Sequence, residues 1–178
     1  MTANHTRILA LLTAILGAAA LRLIPHPPNF SPIDAMALFG GAYLGRRALA
    51  FAAPLGAMFV SDAIIGFHPY MWATYLSVVL IVLIGWAIQA RITPLRVGAA
   101  AVAGSVLFFV LTNFSVWLGS AVYPQTMGGL AACYAAAIPF FQNTVAGDLF
   151  FTGLLFGGLA LAERLVPAIR EPRSAVAT

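Results

Sequence analysis

Charged side chains are scarce in this sequence. They make up 8% of the 178 residues, whereas 62% of the residues are hydrophobic. Soluble domains carry about 25% charged residues, because a solvated surface has to be covered. The few charges present cannot cover a globule of this size, so most of its outer surface must face lipid. The composition therefore predicts an all-α integral membrane protein without a separate soluble domain.

Cysteines and catalytic motifs are also lacking. Cys133 is the only cysteine, which excludes an intramolecular disulfide and a cysteine-based metal cluster. The sequence has no H-E-x-x-H motif, no G-x-S-x-G nucleophile turn and no phosphate-binding glycine loop. We therefore predict no metal site, no cofactor and no enzyme activity, and we expect that the chain does not hydrolyse ATP by itself.

The chain contains six apolar segments, and most of them are long enough to cross a bilayer core of about 30 Å. A rigid loop with four prolines, residues 25–32, precedes the second segment, which is short for a span. The sequence predicts a bundle of six transmembrane helices at residues 8–24, 33–45, 48–66, 70–90, 97–122 and 143–166.

Two further segments lie outside these predicted spans. Residues 123–142 contain two prolines and a Gly-Gly pair, and the run between them is too short to span alone. We therefore interpret this stretch as an interfacial or re-entrant segment. Residues 167–178 are expected to form a polar, disordered tail.

Lysine is absent, and all nine basic residues are arginines. In the six-span arrangement every arginine except Arg22 falls on one side, while the loops 25–32, 67–69 and 123–142 on the other side have none. The positive-inside rule then places the arginine-bearing side and both termini in the cytoplasm. The pattern favours a multi-pass protein of the inner membrane and argues against nucleic-acid binding. The arginines on that side are Arg7, Arg46, Arg47, Arg91, Arg96, Arg164, Arg170 and Arg173.

Most polar side chains inside the predicted spans fall in the outer half of the bundle. Ionisable groups in a membrane are costly unless they are paired or face a cavity, so each indicates a functional site. We predict an outward-facing polar cavity with aromatic walls that binds a small solute. A structural alternative is that Arg22 pairs with Asp34 or Asp148, and that Asp34 and Asp62 cap helices. The predicted substrate-binding residues are Arg22, Asp34, Asp62, Asn113, Trp117 and Asp148.

Small residues recur on the first helix. Ala10, Ala14 and Ala18 are spaced by four and therefore share one face, which allows close approach of another helix. This face either docks on a partner protein or packs against the chain's own helices.

Four segments carry a resemblance to a known family. Residues 22–32, 35–44, 111–117 and 143–151 resemble the DUF6580 family of uncharacterised bacterial membrane proteins. The resemblance covers most of residues 8–165, and its more specific parts are the proline-rich loop and the T-N-F-S-V-W segment. It implies a transport protein but identifies no substrate.

A looser resemblance is to the S components of energy-coupling-factor (ECF) vitamin transporters. These are small six-helix proteins with an outward-facing pocket, and an A-x-x-x-A motif on their first helix docks them to an energising membrane complex. The resemblance implies the same role for Ala10, Ala14 and Ala18, and it implies capture of a vitamin-like solute or metabolite.

Three functions are therefore open at the level of the sequence. The leading hypothesis is a substrate-binding transport subunit in the bilayer that works with a small solute and an ECF-like complex. The second is a non-transporting scaffold or assembly subunit whose buried charges only pair. The third is an intramembrane enzyme that uses Asp62 and Asp148 as a carboxylate pair.

Overall fold

The computed structural model describes residues 5–45 and 48–170, and 81% of this part of the chain is helical, without any strand. The predicted all-α class is confirmed. Arg46, Arg47, Arg173 and the tail from residue 171 onward lie outside the described residues. The helices are α1 (His5–Leu21), α2 (Ile33–Leu44), α3 (Ala48–Ile65), α4 (Met71–Ile88), α5 (Pro94–Gly119) and α6 (Met127–Leu165).

Four of these helices, α3 to α6, are long and apolar enough to cross a bilayer, whereas α1 and α2 are shorter apolar helices. The molecule is therefore a membrane protein. Helix α2 has 12 residues, and nearly all of them are buried. It contacts all five other helices and so forms the centre of the bundle.

Two glycines let α2 and α4 touch backbone to backbone. A Cβ atom added to Gly41 would lie 2.2 Å from the carbonyl oxygen of Val82, and one added to Gly85 would lie 2.5 Å from that of Leu38. Helices in a membrane associate through such small residues, because lipid is as apolar as the side chains and only close packing favours contact.

Successive helices run in opposite directions, so the bundle has two distinct ends. At one end the residue after α1, Arg22, meets the end of α3 at Asp62. We call this the cavity end. At the other, the arginine end, Arg7 of α1 contacts Glu163 near the end of α6 and lies 5.8 Å over the ring of Tyr43 in α2. The described arginines other than Arg22 belong to the arginine end.

Helix α6 differs from the predicted division at residue 143. It is one continuous helix of 39 residues with Pro139 inside it, so the structure has no helix break at the expected division. That residues 123–142 lie at the membrane interface stays a prediction. The first half of α6 packs along α5. The Tyr134 hydroxyl donates to the carbonyl oxygen of Val110 at 2.7 Å, and the rings of Phe109 and Phe141 are 4.8 Å apart. These contacts support the continuous helix on both sides of the proline.

The start of the predicted tail is ordered. Pro167–Ile169 forms a 3-10 helix, and Ile169 is buried against α1 and α6. The guanidinium of Arg7 donates to the carbonyl oxygen of Ile169 at 2.8 Å and also to Glu163. The polar composition of the tail concealed this contact, since one apolar side chain and one backbone carbonyl are enough to make it.

Candidate functional site

A cavity of about 690 Å³ opens at the cavity end of the bundle. Its walls come from the loop after α1, the start of α2, the end of α3, the start of α4, and one side of α5 and α6. Among the predicted site residues, Arg22, Asp34, Asp62 and Asp148 line it, together with Ser31 and Thr144. The structure thus brings four of the six predicted residues together in one cavity.

The guanidinium of Arg22 forms its hydrogen bonds with residues near the end of α3. Its guanidinium donates to Asp62 Oδ1 at 2.8 Å, to the hydroxyl of Ser61 and to the carbonyl oxygen of Met58 at 3.4 Å. The other carboxylate oxygen of Asp62 accepts from the Tyr75 hydroxyl at 2.9 Å. Both charges of this pair are therefore compensated, and the pair joins α1, α3 and α4. Neither Asp34 nor Asp148 is the partner of Arg22.

Asp34 of α2 and Asp148 of α6 both line the cavity. They are 5% and 3% exposed, and their carboxyl groups are close enough to interact electrostatically. The Ser105 hydroxyl of α5 lies 2.5 Å from Asp148 Oδ2. Asp34 Oδ1, however, has no hydrogen-bond partner although it is buried. Asp34 stands in the first turn of α2 and does not cap it, since the N-cap position is Pro32.

The proline-rich loop forms a rigid wall of the cavity. Phe30 packs against Phe151 of α6 with ring centroids 5.4 Å apart, and the Asn143 side chain donates to the carbonyl oxygen of Pro28 at 3.1 Å. A Cβ atom on Gly147 would lie 3.1 Å from the Cα atom of Phe30, so the loop rests directly on the α6 backbone. Four prolines and three anchors leave this wall little freedom to move.

Two predicted site residues lie away from the cavity. The Asn113 side chain donates to the carbonyl oxygen of Phe109 at 2.8 Å, within its own helix. The indole N–H of Trp117 donates to the carbonyl oxygen of Pro124 at 3.0 Å and so closes the turn between α5 and α6. Both residues belong to the C-terminal part of α5, but neither lines the cavity.

The alanine stripe of α1 is divided between two environments. Ala18 is buried in the bundle, Ala14 packs against its core, and Ala10 is partly exposed. The lipid-facing side of α1 is formed instead by Leu9 and Leu16, which are largely exposed. Ala18 thus packs against the chain's own helices in this structure.

Sequence reasoning missed the hydroxyl groups that hold the charged residues. Ser61, Tyr75 and Ser105 bond the carboxylate or guanidinium groups of the cavity, and Thr144 contributes to the lining. Hydroxyl residues are common in transmembrane helices, where they bond back to the helix backbone. Only Ser61 could have been suspected from its position in the sequence, since it directly precedes Asp62.

The carboxylate pair proposed for an enzyme is not formed. Asp62 is held by Arg22 and Tyr75, whereas Asp148 interacts with Asp34. The two acids that do meet are therefore a different pair from the one that we hypothesised.

The fold and the cavity define an α-helical membrane protein with a pocket at one end of its bundle. The pocket has largely apolar walls and a few polar groups, of which one buried carboxylate oxygen has no hydrogen-bond partner. The model of a family of unknown function, DUF6580, matches residues 2–169, and the chain belongs to this family, as the sequence resemblance predicted. No curated protein and no solved structure matches the chain. The family description assigns no activity, so a relationship to ECF S components stays a prediction.

Proposed function

We propose that this protein is a membrane transport protein whose cavity captures a small metabolite or vitamin-like solute from the outer side. The observation that carries the proposal is the cavity itself. It is large enough for such a solute, it combines apolar walls with a few convergent polar groups, and one of these groups is a buried oxygen without a partner. Ligand pockets in proteins are typically about 300–1,000 Å³ and have this mixed lining.

Solute capture can be tested by native mass spectrometry on the protein extracted from its host membrane. We expect a small molecule at one per chain in the wild type. Thr74→Trp should abolish it, because Thr74 lines the cavity and the indole would fill part of the volume. Thr13→Trp is the matched control, since Thr13 is exposed on α1 far from the cavity. Equal retention by both variants would contradict binding in this cavity.

The orientation is a second part of the proposal. We infer six spans, with the arginine end and both termini in the cytoplasm of an inner-membrane protein, from the distribution of arginines. In a Cys133→Ala background, His68→Cys at the cavity end should react with a membrane-impermeant maleimide in intact cells. Arg91→Cys at the arginine end should react only after permeabilisation, because its loop faces the cytoplasm. The opposite pattern would reverse the proposed direction of uptake.

Energy coupling is expected to resemble that of an S component, with the solute-loaded protein docking on an energising complex. The exposed face of α1 supports this docking better than Ala18, which is buried. The scaffold alternative is favoured by one observation, the fully compensated Arg22–Asp62 pair. Protein purified without any solute, but with a stoichiometric polypeptide partner, would favour that alternative.

A further inference from the structure

The cavity contains two groups of charged side chains, and only one of them is compensated within the protein. In the Arg22–Asp62 group each charge meets its counter-charge, and the remaining carboxylate oxygen accepts from Tyr75. The second group, Asp34 and Asp148, has no cationic side chain among the partners that the structure describes. A solute that enters the cavity can therefore supply the missing counter-charge at the second group.

The carboxyl pair is poor in hydrogen-bond donors. The single hydroxyl hydrogen of Ser105 has two acceptors within reach, Asp148 Oδ2 at 2.5 Å and the carbonyl oxygen of Ala101 at 3.1 Å. Asp34 Oδ1 receives nothing, although the side chain is 5% exposed and lines the cavity. A buried acceptor without a donor is costly, so a ligand that donates here gains the full benefit of satisfying it.

The negative charge of the carboxyl pair favours a positively charged donor. Two carboxyl groups in contact repel each other unless a proton or another cation lies between them. A cation placed at the pair relieves this repulsion, whereas an anionic group would add a third negative charge. The only arginine in the lining cannot turn towards an anion without leaving Asp62.

The shape of the lining favours an organic cation over a metal ion. In residues 5–45 and 48–170 no three His, Cys, Asp or Glu side chains gather closely enough to hold a metal. The walls of the cavity instead include Ile33, Met71 and Phe108, which suit a carbon skeleton. A primary ammonium has three N–H donors, enough for Asp34, Asp148 and one hydroxyl of the lining.

We propose that the Asp34–Asp148 pair binds the ammonium group of a small primary amine, whose carbon skeleton lies against the apolar walls. This inference rests on the proposed function, because it names the solute class of the same cavity. Each carboxylate contributes a charge-assisted hydrogen bond, so loss of either should weaken binding of an amine by about tenfold to a hundredfold.

The test compares phenyl-containing probes of similar size and different charge on the full-length protein in detergent. Phenethylammonium should raise the midpoint of thermal unfolding, while 2-phenylethanol and phenylacetate should not. Sodium and potassium chloride alone, at the same ionic strength, show whether an inorganic cation produces the same shift. A shift with the alcohol equal to that with the amine, or a full shift with sodium alone, would overturn the proposal.

Asp34→Asn and Asp148→Asn should each strongly reduce the response to phenethylammonium at the concentration that shifts the wild type. Glu163→Gln is the charge control, because it removes one carboxylate at the arginine end, away from the cavity. Loss of the Arg7 partner lowers its own unfolding midpoint, but the shift that phenethylammonium produces should equal that of the wild type. A normal response in both Asp→Asn variants would also refute the assignment. If the wild type retains an anionic or neutral solute in native mass spectra, the ammonium proposal fails while solute capture stands. If it retains no solute of any charge, solute capture itself fails.

Discussion

Replacing Gly41 by alanine should prevent folded protein from accumulating. The new Cβ atom would lie 2.2 Å from the carbonyl oxygen of Val82 and 3.1 Å from the Cα atom of Gly85. These are backbone atoms of α4, so no side chain can move aside, and the two central helices would have to separate. Ordinary overpacking costs about 1–3 kcal/mol, and a clash between two backbones should exceed this. Size-exclusion chromatography of detergent extracts would show the loss of a monodisperse peak.

Gly98→Ala is the matched control for this change. Gly98 lies within α5, and an added Cβ atom would meet nothing within 4 Å. Alanine has a helix propensity about 1 kcal/mol more favourable than glycine, so this variant should fold as well as the wild type or better. Equal behaviour of the two variants would mean that α2 and α4 do not cross in backbone contact.

Asp62→Asn should be the most damaging single change among the charged residues of the cavity. It leaves the guanidinium of Arg22, whose side chain is 11% exposed, without its counter-charge inside the bundle. Removing one partner of a buried ion pair typically costs about 3–5 kcal/mol, because the remaining charge stays desolvated. The midpoint of thermal unfolding in detergent should fall accordingly. Asp148→Asn should lower it much less, since no arginine depends on Asp148.

A double-mutant cycle separates the pairing from other effects of the substitution. Arg22→Gln combined with Asp62→Asn removes both charges and should recover most of the stability that either single change loses. If the double variant is as unstable as the sum of the two single variants, the residues do not stabilise each other. The ion pair between Arg22 and Asp62 would then not contribute to stability.

The end of the bundle at which each charged residue lies could be predicted from the sequence, but the direction of each side chain could not. Counting spans placed Arg22, Asp34, Asp62 and Asp148 at one end, and the structure collects all four in one cavity. The same count placed Asn113 there, yet its side chain bonds to its own helix. A rotation of α5 by a fraction of a turn decides this. Helices that are apolar on every side carry no periodic pattern from which such a rotation can be read.

Helix breakers misled the prediction for α6. In water, Pro139 and the Gly128–Gly129 pair would each weaken a helix, which is why residues 123–142 were expected to be separate. In a membrane the backbone has no water to bond with, so a helix continues through a proline when its neighbours support it. Here α5 provides that support through Val110 and Phe109. The continuity of α6 thus depends on its contacts with α5, and the sequence of residues 123–142 alone does not reveal it.

The length of α6 has a consequence for the lipids around the protein. Its 39 residues correspond to about 58 Å at 1.5 Å per residue, whereas the hydrocarbon core is about 30 Å thick. Even a tilt of about 40° leaves a projected height near 45 Å, so one end must stand among the headgroups or beyond them. Hydrophobic mismatch then sets how deep the pocket sits. Longer acyl chains would submerge its mouth and shorter ones would raise it, so solute access should vary with the thickness of the bilayer.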